Sequence, residues 1–190
     1  GRFVFSANRN YSDYIYTVQD LTDLAGKKYH GKRNHIARFK KTDWSFEPIT
    51  DRNFDECLEM NRKWCQINDC GRDESIKAER CAVRRSFAHF KELDFFGGVL
   101  RQEGKIVAYT IGERLNDDTV CVHMEKAFSE VEGAYPAINR EFIANLCQSY
   151  TYVNREEDLG VEGLRKAKLS YRPVLLLDKY EVRLAQEFDG

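Results

Sequence analysis

Apolar and polar positions alternate in two rhythms along the chain. Phe54, Cys57, Leu58, Asn61, Trp64 and Cys65 recur with a helical period. They predict a helix that Thr50 or Asp51 caps and Asp69-Cys70-Gly71 stops. A second helix starts at Asp73, with Ile76, Val83, Phe87 and Phe90 on one stripe. After Leu93 the period becomes two. Segments 97–102 and 105–113 read as strands joined by the hairpin turn Glu103-Gly104. Asn116-Asp117-Asp118 turns the chain again, and 119–126 is a third strand. Pro136 opens a helix striped by Ile138, Phe142 and Leu146. A strand at 150–154, a helix at 158–169 capped by Asp158, and strands at 174–177 and 180–184 complete the pattern.

The first 48 residues are less regular. Phe3–Phe5 and Tyr14–Tyr16 read as short strands, and Asp20 to Leu24 as a turn or helix start. Lys27 to Lys41 reads as a helix with Tyr29, Ile36 and Phe39 inward. Asp43 to Pro48 reads as a linker. From Thr50 the order is therefore α-α-β-β-β-α-β-α-β-β. Helices inserted into a strand meander predict an α/β (α+β) fold, a mixed central sheet with helices on both faces.

Composition supports a folded domain. Of 190 residues 42 % are hydrophobic and 32 % charged, and the mean hydropathy is -0.61. No apolar run nears the roughly 20 residues of a membrane helix, and residues 1–20 lack the apolar core of a signal peptide. The start at Gly1 reads as a fragment. Six cysteines without CxxC or Cys/His zinc spacing point to free thiols in a reducing cytoplasm, with no metal expected. Cys57, Cys65, Cys70 and Cys81 read as buried thiols rather than ligands. The net charge of -1 conceals an asymmetry. Residues 1–41 hold nine Lys/Arg against three acids, and all seven charges from Lys27 to Lys41 are positive.

The element order from Thr50 to Leu184 resembles the GNAT (N-acetyltransferase-like) fold. Three strings narrow the likeness: Gly26 to Ile36 (with Lys27-Lys28-Tyr29 and Lys32-Arg33-Asn34), Asn154 to Gly160, and Gly163 to Pro173. They resemble a bacterial family related to the C-terminal domain of phosphatidylglycerol lysyltransferases, whose members usually carry tandem GNAT-like repeats. The resemblance implies that residues 1–44 are the tail of a preceding repeat or an interdomain segment, with 45–190 the GNAT-like domain. It implies a homodimer or a missing N-terminal repeat as the partner of residues 1–44. It also implies an acyl- or aminoacyl-transferase acting on a lipid or a small amine or hydroxyl.

Two donors follow from the resemblance, acyl-CoA and aminoacyl-tRNA. GNAT acetyltransferases grip the pyrophosphate of coenzyme A with a Q/R-x-x-G-x-G/A loop. Here the loop is Glu130 to Tyr135, and Gly133 and Ala134 are the cofactor-binding candidates. Glu130 and Glu132 oppose a pyrophosphate, which favours aminoacyl-tRNA.

Period-two alternation puts Cys121, His123 and Glu125 on one strand face. Glu125 with His123 is the candidate base, and Tyr171 the candidate acid that GNAT enzymes keep near this position. The competing reading is a face held by a Glu125–Arg or His123–Glu pair. Asn154, Arg155, Glu156 and Asp158 lie at a strand's C-terminal end, where α/β sheets bind ligands. Lys28, Lys32, Arg33, Asn34 and Arg38 are candidates for phosphates of tRNA or anionic lipid. A solvated face is the alternative, with Arg33 pairing to Asp20 or Asp23. The rival function is a non-catalytic GNAT-fold module binding RNA or a lipid headgroup.

Overall fold

The computed structural model describes residues 2–68 and 74–185, with the side chains of 74–80 set aside. The expected stop at Asp69-Cys70-Gly71, the start at Asp73 and the side chain of Ile76 lie outside the described residues. In chain order the elements are β1 (Phe3–Ala7), β2 (Asp13–Thr17), α1 (Val18–Asp23), α2 (His30–Phe39), β3 (Trp44–Pro48), α3 (Phe54–Ile67), α4 (Glu74–Ala88), β4 (Phe96–Gln102), β5 (Lys105–Arg114), β6 (Thr119–Ala127), α5 (Ala134–Leu146), β7 (Tyr152–Asn154), α6 (Glu162–Leu169), β8 (Leu175–Leu177) and β9 (Tyr180–Leu184).

Seven strands form one mixed sheet in the order β3-β4-β5-β6-β7-β2-β8. β6 and β7 run parallel, and the other neighbours are antiparallel. β1 and β9 make a separate two-stranded ribbon. The β4–β5 turn forms as expected. Glu103 and Gly104 both take positive φ, 51° and 76°, matching the twist of a tight hairpin.

Two apolar clusters cover the two faces of the sheet, as the alternation predicts. On one face Cys57 and Met60 of α3 and Val83 and Phe87 of α4 meet Val99, Tyr109 and Ile111. Asn61, which shares that stripe, accepts a hydrogen bond from Tyr109 Oη at 2.9 Å. That bond satisfies a buried phenol that burial alone would penalise. On the other face α5 presents Ala134, Ala137, Ile138, Phe142 and Ile143, all buried, against α1, α2 and the sheet. An apolar surface around most of α5 is what a helix buried on several sides requires.

Two expectations fail. Residues 44–48 form the edge strand β3 against β4 rather than a linker. Pro48 sits at the strand end, where its missing N–H costs no ladder bond. The boundary at residue 44 does not separate two folded bodies. β2 lies between β7 and β8 in the main sheet, and Tyr14, Tyr16, Tyr29 and Phe39 enter the core beside Phe142.

The thiols follow their helices. Cys57, Cys121 and Cys147 are buried, but Cys65 is half-buried and Cys81 exposed, so the expected buried cluster holds only for Cys57. Cys70 lies outside the described residues. Among the described residues no helix is long and apolar enough to cross a membrane.

Candidate functional site

β6 and β7 pair only through Thr119–Tyr152, Val120–Val153 and Cys121–Asn154. β6 runs on to Ala127 while β7 ends at Asn154. The two strands part there, and the residues after the last pair lie where the sheet is no longer closed by ladder bonds. Most of the strand-borne candidate residues lie at this opening.

A β-bulge decides which candidates meet. Ile111 pairs with Met124 and Gly112 with Val122, so His123 has no partner on β5. Before the bulge Val120 and Val122 face the α5 cluster, and Cys121 and His123 face away from it. After it Met124 packs on the α3/α4 side, while Glu125 reaches Asn139 of α5. An extra residue in one strand shifts the alternation in this way. The expected shared face of Cys121, His123 and Glu125 is therefore corrected: Glu125 stands on one side of the sheet and His123 on the other.

On the α5 side, Glu125 Oε1 accepts from Arg155 Nη2 at 2.9 Å and Oε2 from Asn139 Nδ2 at 3.0 Å. The Glu125 and Arg155 side chains are only 14 % and 11 % exposed. Both also leave a buried polar group beside them with no partner, Arg155 Nη1 and Asn139 Oδ1. The Arg155 guanidinium lies 5.0 Å from the Tyr171 ring centre and 5.7 Å from that of Tyr16. Lys32 Nζ stands 4.1 Å from the same Tyr171 ring. Burial pushes Tyr16 and Tyr171 up, so both phenols stay protonated at neutral pH. Burial, with the Arg155 charge beside it, lowers Lys32. Burial also brings Lys168 down to about 8. Lys168 Nζ bonds the carbonyls of Arg155 and Glu156 and so pins the chain just beyond β7.

On the opposite side His123 lies between two carboxylates. Its Nδ1 is 2.7 Å from Glu156 Oε1 and its Nε2 3.0 Å from Glu113 Oε1. Cys121 Sγ is 3.8 Å from both His123 Nδ1 and Glu156 Oε1. Hydrogen bonds to Cys121 and Glu156 push His123 up to about 11. Two carboxylates beside the ring favour its charged form, which opposes a role as base. Both pairings of the competing structural reading, Glu125–Arg and His123–Glu, thus form. Glu156 was a substrate-amine candidate; its partner is His123, reached across 33 residues of sequence.

Other candidates have structural work. Asp158 does not cap α6, which begins at Glu162 after Val161. It is fully buried and accepts from Arg165 Nε and Nη2, both at 2.9 Å, from Tyr14 Oη and from the Gly160 N–H. Asn154 donates to Asp13 and accepts from the Glu156 N–H, locking the end of β7. Gly133 takes φ 82°, and a Cβ there would lie 2.2 Å from the His35 carbonyl. The close α2–α5 contact therefore requires a glycine here. Ala134 is fully buried and its N–H bonds the Val131 carbonyl. α2 packs against the start of α5 at this pair, while Glu132 and Tyr135 beside it are exposed.

The basic segment is largely paired within the chain. Arg33 bonds the carbonyls of Leu24 and Gly26, not Asp20 or Asp23. Arg38 meets Glu132 at 2.5 Å, Lys28 lies 3.6 Å from Asp20, and Asn34 bonds His30. Lys32 instead stands over the Tyr171 ring that Arg155 also approaches.

A conserved protein of unknown function from Bacteroides thetaiotaomicron is 47 % identical, with a TM-score of 0.93 over 97 % of this chain and 63 % of that one. L-PGS from Bacillus licheniformis is 16 % identical, with a TM-score of 0.65 over 97 % of this chain and 62 % of that one. A tandem GNAT protein from the clavulanic acid biosynthesis pathway is 8 % identical, with a TM-score of 0.54 over 94 % of this chain and 54 % of that one. This last likeness shows that the fold is GNAT-like. The chain spans less than two thirds of the length of each of the three. A family model described as phosphatidylglycerol lysyltransferase, C-terminal, matches residues 1–183, and the chain belongs to that family.

Proposed function

We propose that this chain is the transferase unit of an aminoacyl- or acyltransferase whose reaction centre is the cleft between β6 and β7. One observation carries the reading. The buried Glu125–Arg155 pair borders the cleft with one unused donor, Arg155 Nη1, and one unused acceptor, Asn139 Oδ1. Buried polar groups without partners are costly in a folded protein and mark a place for a polar ligand. The Asn139 orientation is set by its neighbour, because only its NH2 can donate to the Glu125 carboxylate.

The donor is an aminoacyl ester such as aminoacyl-tRNA rather than acetyl-CoA. The negative charge of Glu132 at the start of α5, where a coenzyme pyrophosphate would sit, supports this choice. Arg155 Nη1 binds the ester carbonyl and stabilises the oxyanion that forms on attack. Glu125 takes the proton from the attacking hydroxyl or amine of the acceptor, a lipid or a small molecule. Tyr171, protonated at neutral pH, returns a proton to the departing ribose hydroxyl. Lys32 and Lys28 offer charge to the donor's phosphates. Membership of the phosphatidylglycerol lysyltransferase, C-terminal, family supports this reaction class.

The rival, a non-catalytic module for RNA or a lipid headgroup, depends on the basic segment. Arg33 and Arg38 are engaged inside the chain, which favours the enzyme. The deciding experiment is single-turnover transfer from labelled aminoacyl-tRNA, and in parallel from acyl-CoA, with the full-length protein and its Glu125→Gln variant. Transfer lost by 100-fold or so in a variant that still folds supports the reading. Binding of tRNA or anionic vesicles without turnover by the parent protein supports the module.

A further inference from the structure

We infer that Cys121, His123 and Glu156 form a binding site for a zinc-class divalent transition metal on the side of the sheet opposite Glu125. Cys121 Sγ, His123 Nδ1 and Glu156 Oε1 lie within 4.8 Å of one another. The separations are 3.8 Å from sulfur to nitrogen, 3.8 Å from sulfur to oxygen and 2.7 Å from nitrogen to oxygen. A tetrahedral zinc ion with ordinary bond lengths sets its sulfur ligand about 3.5 Å from a nitrogen or oxygen ligand, and those two about 3.3 Å apart. The sulfur distances already fit within a few tenths of an ångström. Glu156 must swing outward slightly, and its side chain is 37 % exposed.

The surroundings are those of a ligating histidine. With Nδ1 on the metal, the Nε2–H donates to Glu113 at 3.0 Å, the carboxylate–histidine arrangement that fixes tautomer and ring plane in metal sites. Period-two alternation places Cys121 and His123 on the same side of β6, and the bulge then turns Glu125 to the other. The Glu156 backbone is equally fixed. It holds a left-handed φ of 52°, its N–H is bound by Asn154, and its carbonyl is bound by Lys168 and the Tyr14 N–H. A thiolate, an imidazole and one carboxylate form a donor set for zinc-like ions and a poor one for magnesium or calcium. Three protein ligands leave one position for water or a substrate, as in reactive rather than closed structural sites. Local spacing could not reveal the set, because Glu156 arrives from the far strand.

Titration of the metal-free protein with Co2+ tests the inference. The expected result is a sulfur-to-cobalt charge-transfer band in the near ultraviolet, saturating at about one ion per chain and abolished by excess Zn2+. Cys121→Ser removes the band, whereas Cys65→Ser and Cys81→Ser keep it. Glu113→Gln, a partly exposed change that leaves all three ligands in place, weakens binding by about 10- to 100-fold. Absence of the band in the parent protein overturns the site, and so does a band unchanged in Cys121→Ser. If Cys121→Ser does not fold, Glu156→Gln substitutes for it: loss of binding supports the site and unchanged binding overturns it.

Discussion

Glu125 on β6 and Arg155 just beyond β7 meet at 2.9 Å across the point where the two strands part. The pair crosses the cleft, so it both ties the strands and lines the opening. Removing one partner strands the other as a buried charge, which costs about 3–5 kcal/mol. Arg155→Ala should therefore lower stability by about that amount in chemical denaturation. Arg155→Lys keeps the charge but loses the planar fork that serves Glu125 and the cleft together. It should fold nearly as well as the parent and transfer poorly. Full transfer by Arg155→Lys would remove Arg155 from the proposed oxyanion role.

Asp158 gives a pH signature. Arg165's hydrogen bonds hold its carboxyl well below the usual aspartate range, with help from Tyr14 and the Gly160 N–H. A folded pKa below the unfolded value near 3.9 means that this stabilisation is complete above that value. It is lost as pH falls from there through the folded pKa. Asp158→Asn should be less stable by about 3–5 kcal/mol at neutral pH and fall less steeply in acid. Stability measured from pH 6 down to pH 2 checks this; parallel curves for parent and variant would refute the assignment.

Much of this architecture was legible in the residues. The 3.6 period of Phe54 to Cys65 marks α3, and Glu103-Gly104 marks the β4–β5 hairpin because both positions need positive φ. The site was half legible. Glu125, Arg155, Tyr171 and Lys32 do meet at one opening. The split between His123 and Glu125 was not legible. A bulge is a property of register with β5, and no glycine or proline between Val120 and Glu125 signals it. β2 was read outside the domain because its neighbours, β7 and β8, lie more than 130 residues away in sequence. Asn139 was missed for a similar reason. It sits on the buried stripe of α5, and only its contact with Glu125 shows its role.

Gly133 separates a packing role from a cofactor role. Its φ of 82° already disfavours a side chain, and a Cβ would press on the His35 carbonyl of α2. Gly133→Ala should cost about 1–3 kcal/mol, combining left-handed strain with overpacking. The loss should show in denaturation of the protein without any donor present. A variant of normal stability that bound acyl-CoA more weakly would instead return Gly133 to phosphate binding.

The basic segment supplies the last test, since its cations divide into two kinds. Arg33 and Arg38 are committed: one ties down the Leu24–Gly26 loop through carbonyls, the other joins Glu132 beside α5. Hydrogen bonds from a charged group are worth about 1.5–3 kcal/mol when the partners are shielded from water. Arg33→Ala should therefore destabilise the fold measurably. Arg38 is exposed, and Arg38→Ala should change stability by about 1 kcal/mol or less. Lys28 and Lys32 differ, because a weak ion pair at 3.6 Å and a stack on Tyr171 leave their charge open to a phosphate. If tRNA is the donor, Lys28→Ala and Lys32→Ala should each make the log–log dependence of binding on salt shallower by about 0.7–0.9. Arg33→Ala should leave that slope unchanged at temperatures where the variant is folded. Filter binding across a salt series, with thermal melts alongside, resolves the two kinds. Equal slopes for all four variants and the parent would show that this face does not grip a nucleic acid.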